Sequence, residues 1–551
     1  MKYIIISILV CFSFSMVQAN NVTLSNIQII NNGPDSTYIQ FDLSWENSWR
    51  VSNGPANYDG VWVFFRYRQP GLNYWFPLSL SPNPTSDFVP GGLAFWRDSS
   101  NMGAMFYRSA SNTGTGTVSF TGIRLTVFPF LAFNVDIRGF ATEMVYIPSF
   151  EHPLITLPII LGDGNATWES TNAFHYYTTD NLNAYSYFPI SVDPNGFDDD
   201  AIESPQSFTI GGVGENGITT TLGDTNAYYP TGTSLWCMKY EITQGAYRDF
   251  LNTLLLSQQI GRTANAPTSP VGTGALTVSG TSRNYIEIKT PSIDGQPAVY
   301  GCDANGNNIF DEPDDGEYVA CGFLGWPDVA AWLTWAVMCP MTEIQFERIC
   351  RGPFDNYFEI PGEYAWGDTT LISSALTITN AYEEDELISN ASNTAGNAVY
   401  MDGGTTGPVR SGIFATASSN RVTSGASFFG VMDLSGNVIE TCVTVGNVTG
   451  RSYNMSAENG WYGSSRGQGY LDNNGNAQVF RWPGCSTSND VVADEDCIVT
   501  NSNGTIMRGG SFEWYDYYMR VSDRSAGQAF IIRAPWGGGR GVIVPAMYNN
   551  P

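Results

Sequence analysis

The stretch Gly430–Cys442, GVMDLSGNVIETC, decides how the rest of the chain is read. Two acidic side chains, Asp433 and Glu440, flank a Ser-Gly-Asn turn. Gly436 lets the backbone fold sharply there, which turns carbonyl oxygens toward the carboxylates. Two carboxylates plus carbonyls are the donor set a hard cation such as calcium takes. The same residues also suit an ordinary Asx turn between two strands.

Three further blocks stand around this stretch. WCMKYEITQGAYRDFL runs from Trp236 to Leu251, and PMTEIQFERICRG from Pro340 to Gly352. RGGSFEWYDYYMRVSDR (Arg508–Arg524) is followed by GGGRGV at Gly537–Val542. In this order the blocks resemble the formylglycine-generating enzymes, the sulfatase-modifying-factor family. The resemblance runs from about Glu143 to the C-terminus, and several spaced blocks are a more specific signal than any one motif.

The resemblance implies an elaborated C-type-lectin-like fold with two calcium sites. One falls on Asp433, Gly436, Val438 and Glu440. The other falls, in a looser alignment, on Asn380 with Ala381 and Asp402 with Gly404. The family's redox chemistry uses two cysteines after the GGS block to bind copper(I). Ser511 of that block is present, but the two cysteine positions fall on Trp514 and Met519. Indole offers no thiolate and a thioether is a weak neutral ligand, so copper is not expected. A three-histidine iron site is excluded as well, since the only histidines are His152 and His175. The implied groove is instead lined by Ser511, Phe512, Trp514, Tyr515, Tyr517 and Tyr518. Tyr and Trp make good recognition surfaces because they combine large area with few rotors. Alternate members of the run packing inward, as along a strand, is the plainer reading.

The 551-residue chain is 42% hydrophobic and 14% aromatic, ample for a sizeable core. Its net charge of −27, from 25 basic and 52 acidic residues, argues against nucleic acid or an anionic membrane as partner. Residues 1–19 read as an export signal: Lys2, an apolar run from Tyr3 to Met16, then Val17-Gln18-Ala19 as a small-x-small cleavage site. The apolar run is short for a membrane span. Removing the signal takes Cys11 with it and leaves an even number of the 9 Cys, compatible with a full set of disulfides. The best pairs are Cys302–Cys321 and Cys485–Cys497, with Cys339–Cys350 a further one.

The expected organisation is α+β: an all-β sandwich at 20–142, then the sulfatase-modifying-factor-like domain at 143–551 with few helices and many loops. Strand candidates in the first part are Tyr38–Trp45, Val61–Arg68, Gly103–Arg108, Gly116–Val127 and Ala132–Phe140. Trp62, Trp75 and Trp96 are candidates for sugar stacking, against the plainer reading of core packing. Helices are expected from Thr243 to Leu255, from about Pro327 to Val337, and after Thr342. Thr342 and Gln345 form a capping box there, and Gly352 is the stop.

A separate candidate lies at Cys302–Asp315, CDANGNNIFDEPDD. Asp303, Asn305, Asn307, Asp311 and Asp314 occupy positions 1, 3, 5, 9 and 12 of a calcium loop, with Asn308 at position 6 where Gly is usual. A plain Asn/Gly loop is the other reading. Paired acids at Asp198–Asp200 carry no assignable chemistry. The sequence thus leads to an exported, calcium-stabilised, non-catalytic protein that binds a protein or glycan ligand or itself. An enzyme with different catalytic groups, or a structural subunit of an extracellular layer, are the alternatives.

Overall fold

The computed structural model describes residues 21–148 and 234–545, apart from 32–36, 85, 99, 128–134, 353–359, 361, 445–447, 452, 454–465, 480–481, 486–496 and 528–530. It also describes short strands at 16–18, 176–178, 192–193, 196–197, 207–210 and 218–221. Most of the expected export signal, His152, His175 and Asp198–Asp200 lie outside the described residues.

Strand Thr37–Ser48 alternates, burying Ile39, Phe41, Leu43 and Trp45 on one face, as a half-buried strand should. It pairs antiparallel with Val22–Asn31 and Gly116–Thr126 in a four-stranded sheet, with Met16–Gln18 paired on the far side of Val22–Asn31. Strand Asp59–Arg68 (DGVWVFFRYR) does not alternate, and its first eight residues are all buried. Val61, Val63 and Phe65 pack against the four-stranded sheet. Trp62 and Phe64, on the other face, join a second core built from the C-terminal half. The continuous apolar run is the signature of a strand covered on both sides.

That strand is central in an eight-stranded sheet ordered Cys339–Pro340, Gly541–Ile543, Leu235–Met238, Asp136–Ile147, Asp59–Arg68, Gly103–Arg108, Leu93–Arg97, with Phe76–Pro77 also pairing with Asp59–Arg68. The domain boundary expected between 142 and 143 falls inside strand Asp136–Ile147. This strand pairs along Asp59–Arg68 and, through Met144–Ile147, with Leu235–Met238. The β-sandwich and the C-terminal half therefore share one sheet. Trp62 hydrogen-bonds to the Ala336 carbonyl at 2.9 Å, and Phe64 and Phe140 pack on Trp335. Trp62 and Trp75 are thus core residues rather than sugar platforms, and Trp96 is half-buried.

The described residues are mostly β and loop, with four helices of seven residues or more, an α+β arrangement. Helix α1 (Gln244–Leu251) starts where Thr243 accepts the Ala246 N–H at 3.3 Å. The expected run to Leu255 breaks, and α2 follows at Leu256–Arg262. Helix α3 (Trp326–Trp335) carries Pro327 in its first turn, where a missing N–H costs nothing. Helix α4 (Glu343–Arg351) has the capping box in both directions: Gln345 N–H to Thr342 Oγ1 at 3.1 Å, Thr342 N–H to Gln345 Oε1 at 2.9 Å. Gly352 ends it with φ 72°. All nine residues of α4 are buried, the charged ones included.

Cys485–Cys497 is a disulfide. The other expected pairs are not formed: Cys302, Cys321, Cys339 and Cys350 are buried free thiols, as are Cys237 and Cys442. Each is fixed by backbone pairing of its own. Cys302 lies opposite Ile286, Cys339 opposite Val542, and Cys321 donates its N–H to Ile242. Their sulfurs pack into apolar cores as small hydrophobes.

Candidate functional site

The Asp433–Glu440 stretch is a structural junction. Gly436 has φ 98°, and a Cβ there would stand 2.6 Å from the Val399 carbonyl oxygen, so only glycine fits the turn. Gly436 and Asn437 donate their N–H groups to Gly509 and Val399, and Phe512 donates to Asn437. The Asn437 side chain accepts from Val409 N–H at 2.9 Å and donates to Glu241 Oε2 at 2.6 Å. Glu241 Oε1 takes the Val438 N–H at 3.0 Å. Burial, then the neighbouring Asp433 carboxylate, pushes Glu241 well above the usual carboxylate range.

The cation placed among these acids is the Arg540 guanidinium, whose Nε meets Glu440 Oε1 at 2.5 Å. Burial raises Glu440, and Arg540 opposes that rise. Asp433 accepts the Gly412 N–H at 2.5 Å. The two carboxylates expected to chelate calcium thus flank a fully buried arginine. Beside this junction a cavity of about 20 Å³, lined by Glu143, Tyr240, Glu241, Met238 and Trp332, has room for a water but not a substrate.

A second charged network holds α4. Arg508 bonds Glu343 at 2.9 Å and Glu347 at 2.5 Å, and Arg524 reaches Glu343 at 2.8 Å. Arg351 pairs with Glu347 and Glu363. Their side chains are buried, as paired charges in an interior must be. The sequence blocks are therefore tied to one another: Glu241 of the first to Asn437, Glu343 and Glu347 of the second to Arg508 and Arg524, and Glu440 to Arg540.

The aromatic run after Ser511 divides. Ser511, Phe512 and Met519 are buried. Ser511 and Phe512 therefore do not line a groove: Phe512 packs with Ile388, Val399, Val409, Ile413 and Phe414. Trp514, Tyr517 and Tyr518 are half-buried, and Tyr515 is 49% exposed. Asp516–Met519 forms a 3-10 turn, which groups these rings. Trp514 packs on Trp536 at 5.1 Å and on Tyr518 at 4.8 Å; Tyr517 touches Tyr518 at 4.3 Å and stacks with Tyr515 at 5.9 Å. The result is a five-ring shelf. Trp536 was not singled out from the sequence, where it stands beside the glycine run at Gly537.

Met519 and Trp514, which stand at the family's two cysteine positions, pack in different apolar clusters. Met519 lies with Tyr364, Trp366 and Tyr400 in one cluster, and Trp514 lies against Ile439 and Met507 in another.

In the loop at 303–315, Asp303 accepts N–H groups of Asn307 at 3.1 Å and Asn308 at 3.0 Å. Asn305 Oδ1 takes the Asn307 N–H at 3.0 Å, and Asn307 Oδ1 takes the Ile309 N–H at 2.6 Å. Asn308 has φ 63°, the left-handed conformation that Asn tolerates. Asp311 is drawn elsewhere, to Arg248 at 2.8 Å and Lys289 at 2.9 Å. Burial would raise its carboxyl, but these cations hold it below the usual range. Asp314 accepts the Asn305 side-chain N–H at 3.0 Å. Asp315, unassigned from the sequence, accepts the Glu312 N–H at 2.8 Å and is fully buried.

At the other implied calcium site, Asn380 donates to Asp385 at 2.9 Å. Asp402 lies in the turn Met401–Gly403, whose Gly403 carbonyl accepts from Leu376. Among the described residues no three His, Cys, Asp or Glu side chains form a metal-holding group, and no helix is long and apolar enough to cross a membrane.

No protein-family model matches the chain, and no curated protein matches it.

Proposed function

We propose that this is an exported, calcium-stabilised, non-catalytic protein of the sulfatase-modifying-factor type, and that it binds a glycan through the shelf of Trp514, Tyr515, Tyr517, Tyr518 and Trp536. The observation that carries the reading is that these five rings adjoin in a continuous series with Tyr515 open to solvent. Ring faces of this kind stack on the apolar faces of sugars, and Tyr and Trp do so with little loss of rotamer freedom. Glu513 and Asp516, interleaved with the rings, supply acceptors for hydroxyl groups. The non-catalytic part is supported by Trp514 and Met519 standing where the resemblance requires two thiolates.

The test is binding of the full mature chain to a glycan panel, with Tyr515→Ala as the variant. An exposed truncation of this kind changes stability by about 0.5 kcal/mol or less. Loss of a stacking ring should weaken binding about tenfold, equivalent to about 1.4 kcal/mol. Equal binding by parent and variant would sink the shelf. Binding of a protein and no glycan would reassign its ligand. Aldehyde formation on a cysteine-containing sulfatase peptide with copper(I) and oxygen, above a no-protein control, would overturn the non-catalytic assignment.

A further inference from the structure

We propose that residues 303–315 hold a calcium ion through oxygens of Asp303, Asn305, Asn307 and Asp315, with Asp311 outside the coordination sphere. The proposal rests on the reading that calcium stabilises this protein, and it says where the ion sits.

The first observation is Asp315. Its side chain is out of solvent; Oδ2 accepts the Glu312 N–H and the Asn305 backbone N–H also acts on the carboxylate, while Oδ1 has no partner at hydrogen-bond geometry. A buried carboxylate oxygen left short of partners is costly. It faces the loop: Gly316 packs across it, with its Cβ position 3.4 Å from that of Ala304, and the Asp303 and Asp314 charges both act on Asp315. The second observation is charge balance. Asp303 and Glu287 are also buried, at 3% and 6% exposure, and Glu287 feels both Asp303 and Asp315. Among the described residues none of these three forms an ion pair, while Lys289 pairs with Asp311 and Arg248 with Asp249, Asp311 and Glu317. Buried charges are paired or coordinate metals, and here a divalent cation is the missing partner.

Two carboxylates with two carboxamide oxygens on a flexible turn suit calcium, which takes six to eight oxygens in loose geometry. Magnesium demands a near-ideal octahedron and keeps several waters. Counting by spacing alone, the last ligand would be Asp314. The fold moves that role one residue on, because Asp314 bonds the Asn305 side-chain amide while the Asn305 backbone N–H acts on Asp315.

The experiment uses the full mature chain, stripped with chelator, with thermal melts and calorimetric titration of calcium chloride. Calcium at a hundredfold excess over Kd should raise the parent Tm by about 3 °C. Asp315→Asn keeps an acceptor for the Glu312 N–H but removes the charge. It should bind one calcium fewer and lose the Tm rise, yet melt no lower than the parent when both are metal-free. Asp314→Asn should keep the response. If Asp315 were only structural, Asp315→Asn would melt lower with and without metal, overturning the assignment. A calcium response equal in parent and Asp315→Asn, or lost in Asp314→Asn, would overturn the loop while leaving calcium stabilisation standing. No response in the parent would overturn both. An equal response to magnesium would overturn the choice of ion.

Discussion

Single residues here show how burial sets charge. Lys239 is buried against Glu143 at 2.9 Å, with Asp59 beside them. Burial pushes Glu143 up to about 7 and Asp59 up to about 6, with Lys239 opposing both. Both folded values lie above the ordinary carboxylate range, so the stability these groups contribute is fully present below about pH 4 and is lost as pH rises through 6 to 7. For Glu143 the shift corresponds to roughly 3 kcal/mol. In a series of melts from pH 4 to pH 8, Glu143→Gln should show a flatter fall of Tm with rising pH than the parent. Identical slopes would mean that Glu143 does not titrate in this window. None of this was legible in MKYEI, where Lys239 and Glu241 look like solvated charges. Their partners, Glu143 and Asn437, are remote in sequence.

Among elements, α4 is the instructive one. Its start and stop were readable because Thr342, Gln345 and Gly352 act within one turn of the helix ends. Its surroundings were not, because the groups that allow Glu343 and Glu347 to be buried lie on Arg508 and Arg524, more than 150 residues away. Phe346, Ile349 and Cys350 recur at helical spacing on one face, and nothing local to the helix shows that its charged face is buried too. Glu343→Ala should therefore cost about 3–5 kcal/mol, the penalty for breaking a buried pair from one side. A denaturant melt losing less than about 1 kcal/mol would contradict the network's role. The junction at Gly436 repeats the lesson. The glycine turn was evident from Ser-Gly-Asn, but Arg540 as the cation beside Glu440 comes from a segment a hundred residues on.

For the whole molecule, the strand Asp59–Arg68 matters most. Its unbroken apolar run was visible as a strand, yet a sandwich of residues 20–142 uses only one face of it. Trp62, Phe64, Met105, Tyr107 and Phe140 belong to the core completed by α1 and α3. Calorimetry of the full chain should accordingly show one cooperative transition across the 142/143 position. A 20–142 fragment should fail to fold alone, since that whole face would meet water. A well-dispersed spectrum from the fragment, with two transitions in the parent, would contradict this.

The six buried thiols bear on how the chain reaches its fold. Thiol–disulfide exchange proceeds through the thiolate, and burial pushes Cys237 and Cys339 up to about 12 and the other four also above the ordinary thiol range. Once folded, these sulfurs are kinetically inert, whatever the redox poise around them. Before folding they are not. In an oxidising compartment the chain is in a race: cores must close around six cysteines before any of them couples, while only Cys485 and Cys497, 12 residues apart, are meant to. Slow folders among its variants would accumulate as scrambled disulfide isomers, which a reducing refold would recover.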